Sequence, residues 1–217
     1  MQDARTEGVI LKIVEPSATI LHPDPLDEHL ILQQIEQYGR TAYKSEDRIT
    51  SDSAVTFVKK LIISGHESVL EHINITVRFV CDRGVSHELV RHRIAAYTQE
   101  STRWVNYQKR GVEVIKPLFW KEDSIQWAAW VNAMVLSEFA YNHLLELGAS
   151  PQQARSVLPN SLKTEIVATM NVRQWRHVLR QRTATGVHPQ MREVMGLLLE
   201  QLQATLPTLF MDILLGV

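Results

Sequence analysis

The sequence predicts a single-domain α+β protein in which a mixed or antiparallel sheet packs with several helices. Residues 73–79 alternate apolar and polar side chains, which is typical of a half-buried strand. Longer segments place apolar residues at helical spacing, and the two kinds of segment do not alternate regularly along the chain. With 217 residues and 45% apolar content, the chain is long enough to bury one full core.

Five elements are predicted in the first half of the chain, and most are bounded by residues that interrupt regular structure. Prolines stop the first strand and precede the first helix, and glycines mark the ends of later helices. The alternating strand is expected to pair with the early strand or with residues 112–115. The predicted elements are a strand over Val9–Val14, a helix over Leu26–Tyr43, a helix over Ser53–Ile63, a strand over Ile73–Phe79 and a helix from Val85 to about Ile94.

The second half is predicted to be mainly helical. A long helix is predicted over Asp123–Leu147, with Asp123 or Ser124 as its cap and Gly148 as its stop. Its apolar residues spread around much of the circumference, which indicates burial on more than one side, as at a subunit interface. The other predicted elements are a strand over Lys163–Met170, a polar helix over Asn171–Arg182 and a closing amphipathic helix over Gln190–Leu206.

Charge and cysteine content exclude several classes of protein. A net charge of −1 argues against a protein whose main task is to coat nucleic acid. Cys81 is the only cysteine, so a disulfide scaffold or a cysteine-rich metal site cannot form within one chain. Its apolar neighbours favour a small core residue over a nucleophile. The N-terminus lacks a basic stretch followed by an apolar run, which predicts a soluble, cytoplasmic protein.

The segment from Arg91 to Trp104 concentrates arginines, amides and hydroxyls. Guanidinium groups bind phosphate with paired donors, and the neutral polar side chains can contact a base or a sugar. An Arg-His-Arg run alone is also compatible with a solvated helix end whose cations offset the helix dipole. The hydroxyl-rich stretch that follows lacks helical or strand periodicity, and so the segment favours an anionic ligand with polar edges.

This segment resembles the signature of the flavin-dependent thymidylate synthases. The positions that match are Arg91, His92, Arg93, Ser101 and Arg103, and the family commonly tolerates Tyr97, Gln99 and Glu100. Two positions depart from the pattern. Ala96 stands where a serine is usual, so the contact of that hydroxyl is missing, and Trp104 replaces a tyrosine while keeping an aromatic surface with a polar edge.

A second segment, from Gly65 to His72, has the composition of a metal site but not its spacing. His66 and His72 are six residues apart, whereas a zinc-protease helix places its histidines four apart. Structural polar residues are one alternative and ligand contact is the other. The resemblance covers this segment and implies that His66 lies near flavin and substrate, that Ser68 contacts the flavin nucleotide and that Glu71 supports the site.

The third and fourth segments lie later in the chain. Arg155 precedes a Leu-Pro pair, and the resemblance implies that it contacts the phosphate or base of deoxyuridylate. On a helix over 171–182, Arg173, His177 and Arg180 share one face, while Trp175, Val178, Leu179 and Arg182 lie on another. A solvated basic face is the alternative. The resemblance implies that Asn171, Arg173 and His177 bind flavin and that Arg182 activates uracil.

The resemblance implies reductive methylation of dUMP to dTMP by a homotetramer with shared active sites. FAD would be reduced by NADPH and deliver hydride, and methylenetetrahydrofolate would supply the carbon. No Gly-x-Gly occurs, so side chains would hold the flavin. A non-catalytic nucleotide or nucleic-acid phosphate-binding module and a metal-dependent hydrolase built on His66, Glu67, Glu71 and His72 are the alternatives. No metal is expected.

The implied site residues fall into three sets. The catalytic set is Arg182 and His66. The cofactor-binding set comprises Ser68, Glu71, Arg91, His92, Arg93, Gln99, Asn171, Arg173 and His177. The substrate-binding set comprises Glu88, Arg91, Gln99, Glu100, Ser101, Thr102, Arg103, Arg155 and Arg182. Ser101 could also be read as a nucleophile, but no base accompanies it at a motif-defined position, so substrate hydrogen bonding is preferred.

Overall fold

A computed structural model describes residues 11–108 and 111–216, and these divide into two compact units whose segments alternate along the chain. The first unit contains the described residues of Met1–Ser17, together with Phe79–Arg91 and Thr98–Ile166. The second contains Ala18–Arg78, His92–Tyr97 and the described residues of Val167–Val217. The mixture of sheet and helices confirms the predicted α+β class, whereas a single domain over 1–217 stays a prediction.

The described residues form six strands and eight α-helices. Short 3-10 turns cover Glu46–Arg48, Glu67–His72 and Arg155–Val157. The strands are β1 (Lys12–Val14), β2 (Ser17–His22), β3 (Asn74–Asp82), β4 (Ala96–Gln99), β5 (Glu113–Ile115) and β6 (Lys163–Asn171). The helices are α1 (Glu28–Thr41), α2 (Ser53–Ile63), α3 (Arg83–Leu89), α4 (Ile125–Glu146), α5 (Pro151–Ala154), α6 (Val172–Arg182), α7 (Pro189–Thr205) and α8 (Pro207–Phe210).

The strand pairing differs from the prediction. β1 pairs in parallel with β5, with Lys12 opposite Glu113 and Val14 opposite Ile115. The other four strands form a sheet in the order β2-β3-β6-β4. The expected partners of β3 were therefore wrong: its neighbours are β2, which the sequence reading missed, and β6. Val9 and Ile10, the start of the predicted first strand, lie outside the described residues.

Side-chain caps set the starts of the helices. Asp27 accepts a hydrogen bond from the Leu30 amide, so α1 begins two residues after the predicted start. Ser124 and Asn171 cap α4 and α6 in the same way. Gly65 and Gly148 follow α2 and α4 with φ of 71° and 88°, a left-handed conformation that glycine adopts without strain.

Helix α3 is shorter than predicted. Asp82 caps it at 2.7 Å from the Val85 amide, and it ends at Leu89, although helix was expected to about Ile94. The Arg91–Arg93 run therefore lies in non-helical backbone. The stretch that follows lacks apolar periodicity in the sequence, but it contains strand β4, whose residues are partly or fully exposed. An exposed four-residue strand carries no apolar alternation, so periodicity could not reveal it.

Each unit has its own apolar core. In the first unit, Val112, Val114 and Leu162 are fully buried with Tyr141 of α4. In the second, Trp175 and Leu179 of α6 are fully buried, as are many residues of α7. The indole of Trp175 donates to the Ile75 carbonyl at 2.9 Å, which attaches α6 to strand β3. Among the described residues, no helix is both long and apolar enough to cross a membrane.

Candidate active site

The predicted site residues fall into two groups, one in each unit. The Gln99 group lies in the first unit and the α6 group in the second. The Gln99 group comprises Glu88, Arg91, Gln99, Glu100, Ser101, Thr102, Arg103 and Arg155. The α6 group comprises His66, Ser68, Glu71, His92, Arg93, Asn171, Arg173, His177 and Arg182.

Gln99 is held in one orientation at the end of β4. Its side-chain nitrogen donates to the hydroxyl oxygens of Ser86 at 2.9 Å and of Thr164 at 3.2 Å. Ser86 is fully buried on α3, and Thr164 is buried on β6. Two neighbouring elements therefore fix the orientation of the amide.

Glu100 lies beside a buried phenol and an ammonium group. The Tyr107 hydroxyl donates to its carboxylate at 3.0 Å, and the Lys163 ammonium lies 3.5 Å away. Burial and then the Glu100 charge raise the pKa of Tyr107, so the phenol stays a donor. Although burial lowers it, Glu165, Glu100 and Glu113 together raise the pKa of Lys163, which therefore remains a cation.

Thr102 links the two arginine segments of the Gln99 group. This buried hydroxyl accepts from Arg155 Nη1 at 3.1 Å, so the end of the 151–157 helical segment is attached to the 99–104 loop. Arg155 remains exposed, and so do Arg91 and Arg103. Three guanidinium groups therefore lie on the surface of this unit, and their contact with an anionic ligand stays a prediction.

The two departures from the family signature lie at the surface. Ala96 is exposed on β4, and Trp104 is 81% exposed. The Arg103 guanidinium carbon lies 5.9 Å from the centre of the Trp104 ring, which is within cation–π range. Ser101 accepts from the Arg103 backbone amide at 3.3 Å, and Glu88 is partly buried near the end of α3.

One helix carries four members of the α6 group. Asn171 caps α6, while Arg173 and His177 are exposed and Arg182 is partly buried. Arg173 Nη1 lies 2.5 Å from a Glu71 carboxylate oxygen, which joins the helix to the 67–72 turn. The predicted division of faces is confirmed for the apolar residues, since Trp175, Val178 and Leu179 are fully buried.

A neutral histidine and a guanidinium lie at the centre of the α6 group. Arg182 Nε donates to His92 Nε2 at 2.8 Å, and the His177 ring centre is 6.3 Å from that of His92. Burial, followed by the charges of Arg182 and His177, lowers the pKa of His92 to about 4. The imidazole is therefore neutral at pH 7 and can accept the hydrogen bond that orients Arg182. Tyr97 Oη donates to the His92 carbonyl at 2.8 Å.

The 67–72 turn exposes His66, Ser68, Glu71 and His72. The His72 ring packs edge-on against Tyr38 at 5.4 Å. Among the described residues, no group of three His, Cys, Asp or Glu side chains is placed to hold a metal ion. Arg93 is exposed beside buried His92.

Sequence reasoning missed two residues that organise these groups. Lys163 contacts three carboxylates, and Arg176 is fully buried in α6. A signal existed for Arg176, because it is four residues after Val172 and three before Leu179 and so lies on the apolar face of the helix. A charged residue in that position requires partners.

The α+β fold carries two arginine-rich groups, one of them built around a neutral buried histidine, and clustered guanidinium groups are suited to anionic ligands. The family model for thymidylate synthase complementing proteins matches residues 28–208. The flavin-dependent thymidylate synthase of Pyrococcus furiosus is 32% identical over 181 residues, which cover 82% of this chain and 74% of that protein. The Corynebacterium glutamicum enzyme of the same name is 34% identical, and the match covers 82% of this chain and 78% of that protein. The chain belongs to the flavin-dependent thymidylate synthase family.

Solved structures agree with this assignment. Thymidylate synthase X from Helicobacter pylori, solved with FAD and dUMP, has a TM-score of 0.73 at 25% identity and covers 91% of this chain and 98% of that one. A UMP/dUMP methylase from Streptomyces cacaoi bound with 5-Br dUMP has a TM-score of 0.75 at 20% identity, and the match covers 92% of this chain and 95% of that one. This second structure shows the shared fold. The resemblance inferred from the motifs is confirmed.

Proposed function

We propose that this protein catalyses the reductive methylation of dUMP to dTMP, with methylenetetrahydrofolate as carbon donor and NADPH-reduced FAD as hydride source. The observation that carries the proposal is the Arg182–His92 pair. A permanently charged guanidinium is oriented by a neutral, buried imidazole. His92 lies in the signature segment, and Arg182 lies in the later helix that the family resemblance also covers. Such a cation can stabilise negative charge on a uracil ring, which makes C5 nucleophilic.

The Gln99 group supplies what dUMP requires. Arg91, Arg103 and Arg155 are exposed cations that can form charge-assisted hydrogen bonds with the phosphate. Gln99 is oriented by Ser86 and Thr164. The proposal assigns the base and sugar contacts to uncharged or acidic side chains, namely Glu88, Gln99, Glu100, Ser101 and Thr102.

The α6 group fits a flavin nucleotide by its chemistry. An FAD carries a pyrophosphate and a ring system with polar edges, and the group offers guanidinium, imidazole, hydroxyl and amide side chains for both. A bound FAD would supply the two-electron chemistry that methylation needs. Within this group, the residues that would hold it are Ser68, Glu71, His92, Arg93, Asn171, Arg173 and His177, with His66 beside the reacting groups.

Cys81 does not fit a mechanism that begins with thiolate attack on uracil. Its side chain is fully buried, and burial together with the neighbouring Asp82 charge raises the thiol pKa to about 12. Ring activation by Arg182 removes the need for a cysteine. A free, buried thiol also suits the cytoplasmic location that the proposal retains.

The exposed side of α4 supports a homotetramer. Ile125, Leu136 and Phe139 are 82%, 66% and 58% exposed on this helix, whose opposite side packs in the first unit's core. Large apolar side chains on one helix surface are typical of a protein interface. We therefore include a homotetramer with active sites shared between subunits in the proposal.

The test is a spectrum followed by a product assay. Purified protein is reconstituted with FAD, and its visible absorption is recorded before and after anaerobic addition of NADPH with dUMP present. Retention of a flavin band that bleaches on reduction, and then dTMP formation with methylenetetrahydrofolate, are the expected results. Failure to retain flavin would refute the proposal and favour a non-catalytic phosphate-binding module.

A further inference from the structure

Arg176 is a fully buried arginine, and all three nitrogens of its guanidinium group donate hydrogen bonds. Its Nε donates to Glu67 at 3.2 Å, and Nη1 donates to the Leu209 carbonyl and to Asp212 Oδ1. Nη2 donates to Asp212 Oδ2 at 2.8 Å and lies 3.2 Å from Glu67. Burying a guanidinium group costs much free energy unless the group is paired and hydrogen-bonded, so the residues around Arg176 are held in one arrangement.

The partners of Arg176 come from two segments far apart in sequence. Glu67 opens the 67–72 turn, whereas Leu209 and Asp212 lie at and after α8. Arg180, one helical turn further along α6, contacts the same two carboxylates from a half-exposed position. Two cations and two carboxylates therefore join α6, the turn and the C-terminal segment.

The turn depends on these polar contacts because it has little apolar anchorage. Leu70 is its only buried residue in the part of the chain that the structure describes. Arg173 pairs with Glu71 and Arg176 with Glu67, so α6 holds the turn at both ends through side chains three residues apart. His66 and Ser68 precede and follow Glu67 in the chain, and both are exposed.

We propose that Arg176 is a positioning residue for the flavin site. By fixing Glu67 it sets the path of the turn that presents His66, Ser68 and Glu71, and Asp212 holds the guanidinium in place from the C-terminal side. This inference rests on the proposed function, since it assigns those three residues to the flavin. Arg176 itself would not touch the cofactor.

The variant that tests this is Arg176→Gln, with Arg180→Gln as the matched control. Both changes remove one cation from the same helix and the same carboxylates, but Arg180 is 45% exposed and Arg176 is fully buried. Two quantities are measured well below the melting temperature: the Kd for FAD by titration, and amide hydrogen exchange of residues 66–73 in flavin-free protein.

Arg176→Gln should weaken FAD binding about 10- to 100-fold, the usual cost of losing a partner that orients ligand-contacting groups. It should also speed exchange in residues 66–73, while Arg180→Gln leaves both within about threefold, because an exposed ion pair contributes little. Arg176→Lys keeps the charge but not the paired donors, so it should recover only part of the affinity. If Arg176→Gln fails to fold, Asp212→Asn is measured in its place. It should weaken FAD binding and speed exchange in the same direction, by smaller factors.

The two readouts separate the possible failures. Unchanged exchange in the turn of Arg176→Gln or Asp212→Asn would overturn the positioning role. Faster exchange with an unchanged Kd for FAD would overturn the link to the flavin site. If the wild-type protein bound no FAD, the proposed function would fail, and the exchange data would still decide whether Arg176 positions the turn.

Discussion

His92 should make the free energy of unfolding fall as the pH drops from 6.5 to 4. Burial, with the charges of Arg182 and His177, lowers the pKa of the folded imidazole from its ordinary 6.5 to about 4. In this window the unfolded chain binds a proton that the folded protein does not. The stabilising effect is therefore complete above pH 6.5 and is lost as pH falls through the window.

The size of the effect follows from the pKa values. Each pKa unit corresponds to about 1.4 kcal/mol, so a change from 6.5 to near 4 sets a ceiling of about 3 kcal/mol. Arg182 is partly exposed, and solvent screens part of its repulsion from a protonated imidazole. The expected loss between pH 7 and pH 4 is therefore about 2 kcal/mol.

The assay is urea unfolding at pH 7, 6, 5 and 4, at one protein concentration, for wild type and His92→Gln. The glutamine keeps a side-chain acceptor for Arg182 and does not titrate, so it should lose about 2 kcal/mol less than wild type across this range. His143→Gln, at an exposed histidine of α4, is the control and should follow the wild type. Parallel curves for wild type and His92→Gln would refute the reasoning.

Three further predictions concern the first unit. Thiol reagents should modify Cys81 slowly in the native protein at pH 8, because burial raises the pKa of its thiol to about 12. Cys81→Ala should stay active. Modification of native Cys81 as fast as in urea would contradict this prediction. Arg155→Gln should raise the Kd for dUMP, measured by calorimetry, about tenfold, because a charged hydrogen bond is lost. Ser156→Ala, a change at the exposed neighbouring residue, should leave this Kd unchanged. Lys163→Met should destabilise the protein by about 2 kcal/mol, since three carboxylates lose a cation that is 15% exposed; an unchanged urea midpoint would show that solvent screens them.

Local signals in the sequence predict the helices well. The helix over Ser53–Ile63 matches the structure at both ends, and α4, α6 and α7 begin and end within two residues of the predicted bounds. Caps, prolines and glycines act within a few residues of the position they mark. Bounds that depend on them can therefore be read from the chain alone.

Strand pairing could not be predicted in the same way. The sequence predicts the early strand or residues 112–115 as the partner of β3, yet these two segments pair with each other. Pairing depends on contacts between residues far apart in sequence, which no local pattern encodes. The false extension of α3 to Ile94 has a different cause, because the apolar residues near 90–94 continue a helical spacing that the backbone does not follow.

The candidate site was predicted as a set of residues, without its organisation. Motif matching placed Arg182 and His92 in the site but not the 2.8 Å hydrogen bond between them. That contact joins residues 90 positions apart. Lys163 was missed because its importance comes from carboxylates supplied by other segments. For Arg176 the sequence showed a position on the apolar face of α6, but not the partners that hold it there.

The buried guanidinium of Arg176 also constrains the order in which the protein can mature. Synthesis runs from the N-terminus, so α6 leaves the ribosome before Leu209 and Asp212 do. Until those residues arrive, the guanidinium lacks the carbonyl and the carboxylate that make its burial possible. A nascent chain should therefore form the 67–72 turn late. A translation product that ends before Asp212 should be more susceptible to proteolysis, because its fold is incomplete.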